Sequence, residues 1–436
     1  MEKNRTPAVS AIVKNDRKTI NGWAMYDWAN SVYSLVITSS IFPIFYENAT
    51  DETLILFGRE YLNTALYSYT LSASFLVVAL ITPLLSGIAD YAGRKKSFMR
   101  FFCYLGALSC IGLYFFDVNH LAVSMALVAL ASIGFSGSQV FYDAFLPEIA
   151  TPDLQDKVSA KGYALGYIGS VILLIFILAM IMNPGAFGLG EGADPVRLSF
   201  VLVGVWWLGF AQISFARLPH NVWNRKIKGE YLYRGYLELR KVWMDLKSTP
   251  ILKRYLLAFF VFNMGVQTVM YMAISFAKNE IEGMPDHGLV LSILIIQLIA
   301  VIGAYFFSWL SSRRGNLTAL MISVSVWIGV CVMAYGIRTP PSFYFLAGVV
   351  GLVMGGIQSL SRSTYSKLLP PTMDHTSYFA FFDVCSKMGI VLGTFLFGFI
   401  YEFTGDLRDS VLALGSFFIL GLVFLIYVRR APAHSS

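Results

Sequence analysis

Polar positions in this chain are sparse and grouped. Between the groups run twelve mostly apolar stretches, each about as long as or longer than the roughly 20 residues a helix needs to cross a bilayer. They cover 21–46, 61–88, 98–117, 121–145, 160–182 and 196–216, then 255–277, 288–311, 317–337, 342–362, 377–402 and 407–428. We number the predicted helices 1 to 12. Backbone polar groups inside hydrocarbon must bond within their own segment, so the pattern specifies an all-α membrane protein. Basic residues divide unevenly between the two sides of this topology. One side holds only Arg59, Arg197, Lys278, Arg338 and Arg408, Lys387 lies within helix 11, and the rest of the 33 basic residues fall on the other side. Basic loops resist translocation, so the richer side, with both termini, is expected to be cytoplasmic.

The two sets of six read as repeats. Gly87-Ile-Ala-Asp-Tyr-Ala-Gly-Arg-Lys-Lys96 links helices 2 and 3, and a worn counterpart, Ser308-Trp-Leu-Ser-Ser-Arg-Arg-Gly315, links helices 8 and 9. Leu146-Pro147 after helix 4 matches Leu369-Pro370 after helix 10 at nearly the same offset along the chain. Parallel halves of this kind rock about a site near the bilayer midplane. The implied domains are a tail (1–20), a six-helix bundle (21–216), a connector (217–254), a second bundle (255–428) and a short tail (429–436). The connector carries ten basic and three acidic residues. Within it Leu232, Tyr236, Leu239, Trp243 and Leu246 form one stripe opposite Arg234, Glu238, Arg240, Lys241 and Lys247, which predicts a helix on the inner leaflet ended by Pro250.

Composition narrows the function. Only 14% of residues are charged, against about 25% in soluble domains. The net charge of +7 then describes loops at a membrane surface and not a nucleic-acid partner. Cys103, Cys110, Cys331 and Cys385 lie inside apolar segments without a C-x-x-C pair, and the five histidines are scattered. No metal, cofactor or disulfide framework is expected. With no H-E-x-x-H or G-x-S-x-G, neither is an enzyme. The leading tail is basic and runs into a full-length apolar helix, as in an uncleaved signal anchor.

Ionisable groups at membrane depth are costly and therefore candidates for function. Asp27 on helix 1 has Tyr26, Asn30 and Tyr33 around it at helical spacing. It reads as a substrate-ammonium or proton site, or else as a structural carboxylate pinned by aromatic donors. Asp383 and Lys387 stand four apart on helix 11 and can pair. Lys387 either binds a substrate carboxylate and exchanges partners, the favoured reading, or is simply neutralised by Asp383. Gln139, Asn263, Gln267 and Gln358 would leave amides unsatisfied in lipid and are expected to face inward. Arg362, at the inner end of helix 10, reads first as a snorkelling anchor and otherwise as a gate residue.

The loop at Gly87, Asp90, Gly93, Arg94 and Lys95 strongly resembles the loop between helices 2 and 3 of the major facilitator superfamily of transporters. The resemblance implies a gate latch, in place of a turn that only sets topology. Its aspartate would meet the N-terminal dipole of a helix in the other half, and Arg94 would pair with Asp143 on helix 4. Ser312 stands in the aspartate's place in the second latch, so the strong contact is expected on one side only. Tyr26-Asp-Trp-Ala-Asn-Ser31, Phe145-Leu-Pro-Glu-Ile-Ala150, Lys161-Gly-Tyr-Ala-Leu-Gly-Tyr167, Gly265-Val-Gln-Thr268 and Gly355-Gly-Ile-Gln-Ser-Leu-Ser-Arg-Ser363 resemble the Atg22-like or UMF1-type family. That family implies a twelve-helix carrier, with amino acids as the best-known cargo of its eukaryotic members. The chain departs from the pattern at Met264, where an acid usually precedes the helix 7 glycine. The expectation is a monomeric, multi-pass secondary transporter in the cell (inner) membrane. Its cargo would be a small amphoteric molecule, an amino acid or short peptide, with proton coupling resting on the buried carboxylates. Asp27 would hold its ammonium group and Lys387 its carboxylate. Export of a lipid or drug-like amphiphile on the same fold is the alternative, with a non-transporting membrane receptor ranked below it.

Overall fold

The computed structural model describes residues 13–189, 194–219 and 231–430. Among them are twelve helices long and apolar enough to cross a membrane. In the first half these are Arg17–Ala49, Asn63–Ala92, Lys95–Phe115, Val118–Ile149, Pro152–Met182 and Pro195–Arg217. In the second half they are Pro250–Glu280, His287–Arg314, Asn316–Gly336, Pro340–Leu368, His375–Thr404 and Leu407–Arg429. They keep the numbers 1 to 12.

Local chemistry explains several boundaries that the apolar pattern missed. Asp16 caps helix 1 by accepting from the Thr19 backbone N–H and hydroxyl, and those bonds hold its carboxyl below the usual value. Helix 7 begins at Pro250, a first-turn residue of the next helix as well as the stop for the connector. A hairpin, Thr53–Leu56 paired with Arg59–Leu62, precedes helix 2. Its two-residue turn puts both Phe57 and Gly58 at positive φ, the geometry that matches strand twist. Helix 1 is α-helical to Val32 and π-helical over Tyr33–Thr38, and it resumes as an α-helix over Ile41–Ala49.

Each half has its own apolar core, one centred on Trp23, Trp207 and Phe200, the other on Trp327, Phe418 and Phe259. The halves meet where helix 2 packs on helix 11 and helix 5 packs on helices 8 and 10. A cavity of about 260 Å³ lies between them.

The connector helix spans Tyr231–Ser248. It docks onto helix 2, which corrects the expected stripe. Gly235, Val242 and Leu246 are buried, whereas Tyr236 and Trp243 are about half exposed. The side chains of Leu232 and Arg234, residues 220–230, most of the first tail and nearly all of the last lie outside the described residues. Gly235 rests against Gly87 so closely that a Cβ on either would meet the other helix. Gly87 is therefore a packing position inside helix 2 and not part of the turn. The turn belongs to Gly93, whose φ of 66° closes the helix in the left-handed region.

Candidate functional site

Arg362 lies behind the cavity wall and holds two of its lining carboxylates, Asp27 and Asp143. Its side chain is 2% exposed, which excludes the snorkelling anchor. Nη1 donates to Asp143 Oδ1 at 3.0 Å, and Nη1 and Nη2 reach Asp27 Oδ2 at 3.4 and 3.3 Å. Nε and Nη2 are satisfied by the hydroxyl and carbonyl of Ser159, each at 3.0 Å. The guanidinium also lies over the rings of Tyr163 (4.2 Å) and Trp23 (4.7 Å), where the ring faces attract it. Tyr142 donates to Asp27 Oδ2 at 2.8 Å. A buried charge cluster survives only with partners of this quality. Gly162, within the Lys161–Tyr167 motif, is what lets helix 1 approach. A Cβ there would collide with the Asp27 carboxylate and come within 3.0 Å of Arg362 Nη2.

Asp27 and Asp143 belong to the first half and Arg362 to the second, so this lock joins the halves. It overturns the Arg94–Asp143 pairing. Among the described residues no carboxylate pairs with Arg94, because Arg362 has taken Asp143. On the basic loop it is Lys95 that pairs, with Glu148, and Glu148 also meets His375 of helix 11 at 3.0 Å.

Above the lock the cavity wall includes Tyr33 and Gln139 from the first half, and Asn263, Gln267, Gln358, Asp383 and Lys387 from the second. Tyr26 and Asn30 are absent from it. Both are fully buried inside the first bundle, with Tyr26 against Tyr142 and Phe215. The face of helix 1 that reaches the cavity carries Asp27 and Ser31, and the π-helical turn adds Tyr33, Ser34, Leu35 and Thr38. Nothing in the spacing signalled that turn. Lys387 Nζ lies 3.2 Å from Asp383 Oδ1. Asn263 donates to Ser386 and Gln267 to Asn263, while Tyr167 crosses between the halves to Gln358 at 2.7 Å.

Two further contacts close the end of the molecule below the lock. Asp90 accepts from the Ser377 N–H (2.7 Å) and hydroxyl (2.8 Å) and from the Thr376 N–H (3.3 Å), all in the first turn of helix 11. A helix N-terminus offers such unpaired donors and a favourable dipole. At the second latch Asp156 of helix 5 accepts from Ser311, Asn316 and Lys367, each at 2.7 Å. Sequence reasoning passed over Asp156, Asn316 and Lys367. The signal was there, since the offset that relates the two latches carries Asp156 onto Ser377. It is Ser311 that reaches across, because Ser312 bonds back to Trp309. Lys241 of the connector helix ties in at Asp374, 2.6 Å away, and that bond holds its ammonium above the usual lysine value. Among the described residues, hydrogen bonds and ion pairs between the halves run from this end up to Tyr167–Gln358 and no further.

Two halves, paired latches and a lock beneath a central cavity are the anatomy of a known transporter fold, and the comparisons agree. The major facilitator superfamily transporter FucP in its outward conformation aligns with a TM-score of 0.67 at 13% identity, over 94% of this chain and 98% of that one. The human organic anion transporter MFSD10 (TETRAN) gives a TM-score of 0.70 at 11% identity, over 95% and 100%. In sequence, an uncharacterized MFS-type transporter of Bacillus subtilis, YxiO, is 32% identical over 418 residues, 96% of each chain. Autophagy-related protein 22 of Eremothecium gossypii is 24% identical over 483 residues, 97% of this chain and 91% of that one. Residues 15–434 match the family described as vacuole effluxer Atg22-like, and the chain is a member of that family within the major facilitator transporters.

Proposed function

We propose that this protein carries a small amphoteric solute, an amino acid or short peptide, across the cytoplasmic membrane by alternating access. The latch end, with both termini, faces the cytoplasm, and the structure corresponds to the state closed on that side. The observation that carries the reading is Arg362, buried and shared between Asp27 and Asp143 of the opposite half directly beneath a polar cavity. Rocking of the halves would have to break that lock, so it gates passage. Asp27 is thereby committed to the gate and not to a substrate ammonium, which revises its expected role. Asp90, Lys95 and Asp143 act with it, while Gln139, Asn263, Gln267, Gln358 and Lys387 offer the solute amides and a cation. Proton coupling is supported by the carboxylates at membrane depth.

A thermal-shift screen of purified protein against amino acids, short peptides, sugars and amphiphiles tests the cargo. The reading expects amino acids or peptides to raise the melting temperature. A response to amphiphiles alone would replace it with lipid or drug export. Reconstituted protein carrying Asp27→Asn or Arg362→Met should then lose exchange of the responding solute, and unchanged exchange in both would rule out the lock. A pH-sensitive dye trapped in the liposomes reads any proton movement.

A further inference from the structure

The charges around the cavity do not balance. Asp27, Asp143 and Asp383 bring three carboxylates, whereas Arg362 and Lys387 bring two cations. Arg362 serves both Asp27 and Asp143, and Lys387 serves one oxygen of Asp383. The tyrosines in the wall, Tyr33, Tyr163, Tyr167 and Tyr271, carry no charge near neutral pH. An unbalanced charge at membrane depth is expensive, so the cavity has a place for one more positive charge.

The location of that place follows from the bonds already made. Asp383 is 8% exposed and belongs to the cavity wall. Its Oδ1 faces Lys387, but its Oδ2 is buried and accepts no hydrogen bond among the described residues. A buried carboxylate oxygen without a donor is costly, and either a proton or an N–H group relieves it. The charged and titratable groups around it are few. Lys387 and Cys385 share its helix, Asp143 comes from helix 4 and Asp27 from helix 1, and Arg362 of helix 10 lies behind these two outside the wall. Helix 2 offers the ring of Phe75, 5.7 Å from Lys387 Nζ, helix 7 offers Asn263, Gln267 and Tyr271, and helix 12 puts nothing in the wall. No second cation is available from the described residues to complete the pair.

We propose that Asp383, through Oδ2, is the seat of a primary ammonium group on the transported solute, and that it holds a proton when the solute is absent. Amine and proton then compete for one oxygen. Arrival of the ammonium group breaks the O–H bond and releases one proton, so the carrier exchanges protons for an amine. A solute carboxylate, where present, falls to Lys387 and the neighbouring amides. This rests on the transporter reading above.

The test uses full-length purified protein and infrared difference spectra of its protonated carboxyl band between pH 8 and pH 5. Other partly buried carboxyls, Asp90 and Asp143 among them, contribute to the same band, so the readout is the difference from variants: one component should vanish in Asp383→Asn and return, shifted, in Asp383→Glu. Methylammonium, ethanolamine and alaninamide, added where that component is present, should discharge it, whereas N-acetylalanine should not. Asp383→Asn should weaken amine binding about tenfold or more. A band indifferent to Asp383→Asn, or one that no amine discharges, overturns the proposal. If the band behaves as expected but liposomes move no amine, the site stands and the carrier reading fails. If amine flux and its pH dependence survive Asp383→Asn, the carrier reading stands and the site fails.

Discussion

At the end of helix 2 the acid sits on the latch, and its donors are the opening turn of helix 11. At the end of helix 8 the polarity is reversed. There the latch supplies Ser311, with Asn316 and Lys367 beside it, and the acid, Asp156, comes from helix 5 across the interface. The two halves thus keep a closure contact at both positions while the carboxylate changes sides. The expectation of a one-sided gate came from treating the missing aspartate as a missing contact. An ionic contact needs only one acid in reach, and either half can supply it. The two differ in strength as well as sign. Asp90 leans on backbone donors and a dipole, whereas Asp156 holds a lysine that would otherwise be a stranded cation.

That difference ranks the substitutions that break the pair. Asp156→Ala should cost most, about 3–5 kcal/mol, since it leaves Lys367 without its carboxylate in a largely buried site. A lowered melting temperature in detergent would register it, together with faster maleimide labelling of a cysteine placed at Gln358 in a Cys385→Ser background. Exchanging the two groups, Asp156→Ser with Ser311→Asp, would give the second latch the polarity of the first, and we expect it to recover about half of that loss. No recovery would mean the contact depends on helix 5 geometry and not on charge. Asp90→Ala should cost less, about 0.5–2 kcal/mol, the range for losing a side-chain cap at a helix N-terminus. If it costs more than Asp156→Ala, the ranking is wrong. Lys241→Ala removes a half-exposed pair with Asp374 and should change stability by only about 0.2–1 kcal/mol, less at high salt. A larger loss would make the connector helix a third element of the closure.

Much of the site could be read along the chain, and the misreadings share one cause. Asp383 with Lys387 was legible because their spacing of four is a local property of a helix. The inward set Gln139, Asn263, Gln267 and Gln358 was legible because lipid tolerates no free amide. Arg362 was misjudged because its ring contacts and carboxylates come from helices 1, 4 and 5, all in the other half of the chain. Tyr26 and Asn30 were misjudged because helical spacing says which residues share a face and not which way the face points. The lean of helix 1 on helix 5, set at Gly162, turned Asp27, Ser31 and Ser34 to the cavity instead.

The amino-acid order alone determined the membrane, the twelve crossings and their grouping in two sixes, because hydrocarbon thickness and backbone satisfaction act on each segment separately. It also marked which buried charges needed partners. Only the tertiary structure decided the partners themselves: Asp143 with Arg362 and not Arg94, Glu148 with Lys95, Asp156 with Lys367, and Asp383 with one oxygen to spare. Pairing energy falls off within a few ångströms, and those separations exist only once the two halves have closed on each other.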